Sequence, residues 1–182
     1  MPSPAPRRKA STRRSGQRST RAKSAAPIGT TDVTITWKLR TDWRAVPLLK
    51  RVALHVMTAE GCREGGLSVV VAGARAMSTL HERFLGMSGP TDVLSFDLGS
   101  DPDAGRIDGE IIVCADVARR EARRHNKTLS AARAELALYV THGILHLCGY
   151  DDHDEAEFEH MHAREDELLE QLDLGRVFSR SG

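Results

Sequence analysis

His142-Gly143-Ile144-Leu145-His146-Leu147-Cys148-Gly149-Tyr150-Asp151-Asp152-His153 is the stretch on which the reading of this chain turns. His142 and His146 are four apart, so a helix sets both imidazoles on one face, one turn apart. Gly149 tolerates positive φ and can end that helix. The chain can then turn back and bring Asp151, Asp152 or His153 beside the two rings. Three protein ligands leave the fourth position of a metal ion to water, the pattern of a catalytic rather than a structural site. A His-x3-His pair alone is more often a pair of ordinary surface or core histidines. The glycine turn and the third donor tip the balance towards a metal.

The helix around the pair is otherwise apolar, with Leu136, Tyr139, Val140, Ile144 and Leu147 to bury it over about 131–147. Ser130 is the expected cap and Glu135 a first-turn partner. The histidines are the one polar interruption, and polar groups inside such a helix need partners. Beyond the turn, Asp152 or Asp154 caps a last helix to about Leu172. Phe158, Met161, Leu168 and Leu172 point inward, and His160 and His162 read as structural residues of a solvated helix. Gly175 ends it, leaving 176–182 as a fraying tail.

Upstream, Val33–Trp37 alternates as a strand, and Thr41 or Asp42 can cap a helix to about Ala59. Its apolar positions Val46, Leu49, Val52, Ala53 and Val56 recur at helical spacing, and Pro47 fits only near its start. Gly65 and Gly66 break the chain before an apolar strand over 67–72, whose continuous run implies burial on both faces. A short helix from Ala74 to Phe84 carries Met77, Leu80 and Phe84 on one side. Strands over 92–96 and 110–114 flank a turn-rich connection. A basic helix from Asp116 to His125 bears Arg119, Arg120, Arg123 and Arg124, an exposed face or an RNA-facing patch. The order predicts an α/β (α+β) domain with one small mixed sheet of about four strands and helices packed on it.

The 182 residues carry a net charge of +1 that hides an asymmetry. Residues 1–31 hold eight Lys and Arg and no acid, leaving a net of −7 over 32–182. The segment 1–31 has little to bury and is expected to be a disordered basic tail suited to phosphate contact; residues 32–175 form the folded domain. Cys62, Cys114 and Cys148 are odd in number and lack CxxC spacing, which excludes a disulfide framework. Cys148 reads as a small buried hydrophobe. No apolar run approaches 18 residues and no apolar core follows the basic start, so neither a membrane span nor a secretory signal is expected, and the location is taken as cytoplasmic.

Two resemblances attach to these residues. The histidine spacing is similar to the metzincin protease signature HExxHxxGxxH, but Gly143 stands where the peptidase has its general-base Glu. A fuller match resembles the YbeY family of bacterial endoribonucleases and ribosomal RNA maturation factors. It rests on His142 through Asp151 (H-G-x-L-H-L-x-G-Y-D), on Pro90-Thr91-Asp92-Val93-Leu94-Ser95-Phe96 and, more weakly, on Asp108-Gly109-Glu110-Ile111-Ile112-Val113. The resemblance implies one Zn²⁺ per chain, a single-stranded RNA substrate, ribosomal RNA precursors and the ribosome as partners, and no membrane. Two positions depart from the family. Its third His falls at Asp152, so the third ligand here is His153, delivered by a longer turn, or alternatively Asp152. Leu85 replaces a family Arg, for which Arg83 is the candidate substitute in catalysis. Asp151 is expected to orient a histidine or the attacking water. The alternatives are a non-catalytic ribosome-associated assembly factor with a structural metal, and a zinc peptidase.

Overall fold

The computed structural model describes residues 30–125 and 128–178. Apart from Thr30 and Thr31, the expected basic tail lies outside them. The elements are β1 (Thr31–Trp37), α1 (Val46–Ala59), β2 (Glu64–Ala72), α2 (Ala74–Leu85), β3 (Val93–Asp97), a 3-10 turn (Pro102–Ala104), β4 (Arg106–Cys114), α3 (Ala115–His125), α4 (Leu129–Leu147) and α5 (Glu155–Glu170). The sheet order is β1-β2-β4-β3. β1, β2 and β4 run parallel and β3 is antiparallel to β4. The domain is thus the expected α/β fold with a small mixed sheet.

Parallel neighbours need crossovers, and α1 supplies the one between β1 and β2. It buries Leu49, Val52, Ala53, Val56 and Met57. Its cap is Ala45 rather than Thr41 or Asp42, because the Thr41 hydroxyl is taken by the Trp37 indole N–H at 3.2 Å. Gly65 and Gly66 do not break the chain. Both lie inside β2, paired to β1 and β4, and the Gly66 N–H also donates to Asp108 Oδ1 at 2.9 Å. Ladder pairing on both sides overrides the intrinsic weakness of glycine in a strand. β2 buries one face, through Leu67, Val69 and Val71; Ser68 and Val70 on the other are half-covered. On α2, Met77 is buried but Phe84 is exposed, edge-on to Phe96, and His81 takes the buried place instead, bonded through Nδ1 to the Gly89 carbonyl at 2.9 Å.

α4 is buried nearly all round, between β3 and β4 on one side and α1, α3 and α5 on the others. It starts two residues earlier than expected, at Leu129, because Thr128 rather than Ser130 caps it, accepting from the Ala131 N–H at 3.0 Å. Two glycines set how close it lies to the sheet. A Cβ at Gly109 of β4 would meet Leu147 Cδ1 at 2.5 Å. One at Gly143 of α4 would meet Ser95 Oγ at 2.8 Å and Ile111 at 2.9 Å. At Gly143 the backbone of the histidine helix therefore lies against the Ser95 and Ile111 side chains, and at Gly109 the backbone of β4 lies against the Leu147 side chain.

The expected C-terminal tail begins too early. Val177 is buried and the Phe178 N–H donates to Asp166 Oδ1 at 3.1 Å, which folds the chain back on α5. On the basic helix α3, Arg120 and Arg124 pair with Glu121 at 3.0 and 2.7 Å, and Arg119 lies over the Trp43 ring. The three cysteines are free, and Cys62 and Cys148, far apart in sequence, stand with their sulfurs 3.8 Å apart.

Candidate metal centre

Helix α4 delivers the two imidazoles as the four-residue spacing requires. His142 Nε2 and His146 Nε2 face each other at 2.9 Å, with the rings edge-on, 4.5 Å between centroids. The other nitrogen of each ring is committed. His142 Nδ1 donates to Glu165 Oε1 at 2.7 Å, and His146 Nδ1 donates to the Tyr150 carbonyl at 3.1 Å. A carbonyl or an ionised carboxylate can only accept, so in both neutral rings the proton sits on Nδ1. The two Nε2 atoms then present lone pairs to each other. That contact is repulsive unless a cation or an added proton lies between them.

Gly149, at φ +89, turns the chain after α4. The turn brings Asp152 to the pair: its carboxylate oxygens stand 4.0 Å from His142 Nε2 and from His146 Nε2. One donor atom from each of His142, His146 and Asp152 lies within 4.8 Å of the others. His153, the first-choice third donor of the sequence reading, is not brought to the pair. Its side chain is 82% exposed and its Nδ1 contacts Asp151 instead. The reason is local: Asp154 caps α5, accepting from the Glu157 N–H at 2.8 Å, so the chain enters the helix directly after His153, leaving no slack for a longer turn. Asp151 Oδ1 accepts from the Asp152 N–H at 2.8 Å and contacts His153 Nδ1, so it shapes the turn that carries Asp152.

The surrounding charge is negative. Burial disfavours a charged His142, but the hydrogen bond and charge of Glu165, with Asp92 and Asp152, outweigh it and raise its pKa. Burial likewise opposes an ionised Glu165, and the bonds from His142 and His162 outweigh it, so its pKa is lowered. Asp92, which immediately precedes β3 in the Pro90–Phe96 stretch, is held by the Thr91 hydroxyl at 2.8 Å and the Val93 N–H at 2.9 Å. Such a field favours a cation.

A family model described as Endoribonuclease YbeY matches residues 35–173, from β1 to the end of α5. The chain belongs to the endoribonuclease YbeY family. Among its relatives, the protein named Endoribonuclease YbeY from Anaeromyxobacter sp. (strain Fw109-5) is 35% identical over 134 residues, 74% of this chain and 68% of that one. The protein of the same name from Chlorobium luteolum (strain DSM 273 / BCRC 81028 / 2530) is 36% identical over 125 residues, 69% of this chain and 87% of that one. The solution structure of TM1509 from Thermotoga maritima is similar with a TM-score of 0.53 at 26% identity, covering 78% of this chain and 91% of that one.

Arg83 is exposed on the last turn of α2. Its guanidinium lies over the Phe84 ring, 5.5 Å from the centroid, and is neither hydrogen-bonded nor ion-paired to the histidine group. Sequence reasoning missed Glu165 and misread His162, which is buried and bonds Glu165 Oε2 through Nδ1 at 2.6 Å. The signal for Glu165 was present. It lies four after Met161 and three before Leu168, on the buried stripe of α5, where a carboxylate needs partners. The Tyr150 turn is also pinned: its hydroxyl donates to Glu60 Oε2 at 3.1 Å, and Arg164 of α5 donates to Glu60 Oε1 at 2.9 Å.

Proposed function

We propose that this chain is a metal-dependent endoribonuclease that cleaves single-stranded RNA during ribosomal RNA maturation and ribosome quality control in the cytoplasm, with one Zn²⁺ held by His142, His146 and Asp152. The observation that carries the reading is the pair of Nε2 lone pairs facing each other at 2.9 Å, each 4.0 Å from an Asp152 oxygen. Two imidazole nitrogens and a carboxylate oxygen are a donor set that zinc accepts. When bound, the ion supplies a Lewis acid for a phosphoryl oxygen and makes a nearby water more acidic. The Glu165 carboxylate and the Tyr150 carbonyl hold the protons on Nδ1 and so keep both Nε2 atoms free for the ion. Asp152, on the turn, adds negative charge on the open side of the pair. RNA as the substrate follows from the family.

A zinc peptidase is disfavoured at Gly143, the position of the peptidase general base. The Ser95 and Ile111 contacts that an added Cβ would make leave no room for a Glu side chain there. The non-catalytic assembly factor is favoured by one observation: Leu85 is exposed where the family has Arg, and Arg83 points over Phe84. The test is zinc content and cleavage of a single-stranded RNA by His142→Ala, His146→Ala and the double variant. Loss of both properties supports the nuclease reading. Zinc-dependent structure without cleavage in the unaltered protein supports the assembly factor. Stoichiometric zinc in the double variant sinks the site.

A further inference from the structure

The carboxylate that holds His142 is itself held by a second imidazole. Glu165 is fully buried on α5, and both of its oxygens are used, Oε1 by His142 Nδ1 at 2.7 Å and Oε2 by His162 Nδ1 at 2.6 Å. His162 is 9% exposed, and its ring is clamped. It lies flat on Phe178, 3.6 Å between centroids with planes 2° apart, and edge-on to Phe158 at 4.1 Å. The Phe178 N–H is in turn fixed by Asp166 of the same helix. The stack sets the ring plane of His162, and with it the direction from which Nδ1 reaches Glu165.

A buried carboxylate with two imidazoles is a poor way to stabilise a helix interface. An apolar side chain at 165 would continue the stripe of Met161, Leu168 and Leu169 without the desolvation cost. What the charged arrangement adds is direction. We propose that Glu165 and His162 are positioning residues of the metal centre: through them α5 fixes the tautomer and rotation of His142, so that Nε2 is presented to the ion as a lone pair. His162 acts one step out, by holding Glu165 so that Oε1 stays on His142. The inference rests on the reading of His142 as a metal ligand. Outer partners of ligating histidines carry tenfold to hundredfold effects on metal affinity, and both members of this chain of contacts have the geometry for that role.

The test is the affinity of the full chain for Zn²⁺ alone, by competition with a chromophoric chelator, with the ring nitrogen resonances of His142 read in the metal-free protein. His162→Phe keeps the stack on Phe178 and removes the donor to Glu165; it should bind zinc about tenfold more weakly. His162→Asn restores an N–H near the Nδ1 position and should stay within about threefold of the unaltered chain. Glu165→Ala should lose roughly a hundredfold and release His142 into a mixture of tautomers. Should Glu165→Ala fail to fold, His162→Phe decides. A folded His162→Phe that binds zinc within about twofold of the unaltered chain, with His142 still in the Nδ1–H tautomer, overturns the proposal. His142→Ala is the control. If it too keeps full zinc affinity, the metal reading itself has failed; if it loses zinc while His162→Phe does not, only the positioning role has failed.

Discussion

Replacing the third donor separates ligand identity from sequence spacing. Asp152 and His153 are adjacent, and only one of them stands at the histidine pair. The Asp152 oxygens are 4.0 Å from each Nε2, whereas the His153 ring is turned to Asp151 and largely in solvent. An ion between the two nitrogens feels the Asp152 charge at about that range or closer. Two unit charges 4 Å apart at an effective dielectric near 20 interact by roughly 4 kcal/mol, so a divalent ion and one carboxylate charge interact by roughly 8 kcal/mol. The Asp152 side chain is 33% exposed, which halves the value for screening to about 4 kcal/mol. That is a loss of about a thousandfold in zinc affinity for Asp152→Asn. Asp152→Ala removes the oxygen as well and should lose more. His153→Ala should change the affinity by less than about twofold, because it removes a solvated ring whose partner, Asp151, is also exposed. Chelator competition at fixed pH and ionic strength measures all three. A larger loss from His153→Ala than from Asp152→Ala would refute the reasoning and return the third position to the imidazole.

Three further outcomes are expected. Zinc affinity should rise as pH rises through the pKa of His142, which Glu165 holds above the usual imidazole range against the opposing effect of burial, because the ion must displace the proton on Nε2; titration calorimetry in buffers of different ionisation enthalpy counts the protons released. The metal-free fold should be most stable between the two shifted values. His142, with its raised pKa, contributes below its unfolded value and loses this as pH rises through the folded one; Glu165, with its lowered pKa, contributes above its unfolded value and loses this as pH falls through the folded one. Urea unfolding of the chelated protein across pH checks this, and a maximum outside that window contradicts it. Gly143→Ala should destabilise the fold by about 1–3 kcal/mol through overpacking against Ser95 and Ile111, read as a lowered midpoint in urea. Deleting residues 1–29, which spares β1, should weaken RNA binding at low salt and flatten the dependence of log K on log salt, since each neutralised phosphate of a single strand contributes a slope of roughly −0.7; equal slopes for the two chains would make the tail a passive extension.

What could be read from the sequence was whatever depends on period and covalent spacing. The four-residue interval puts His142 and His146 together on any helix, and the apolar spacing of Leu49, Val52, Ala53 and Val56 marks the buried face of α1 whatever packs on it. What could not be read depends on geometry set by distant contacts. The turn after Gly149 could deliver Asp152 or His153, and the choice is made by Asp154, whose cap on α5 fixes where the chain must enter the next helix. His162 looked solvated because its neighbours Glu159 and Glu167 are acidic and exposed. It is buried because residues beyond Gly175 return and lay Phe178 on its ring, a contact with no local signature. Glu165 is the intermediate case. Its place on the apolar stripe demands a buried partner, and the imidazoles of the histidine pair on α4 need an acceptor. An acid on one buried stripe and a base on another predict each other, because neither can be buried alone at tolerable cost.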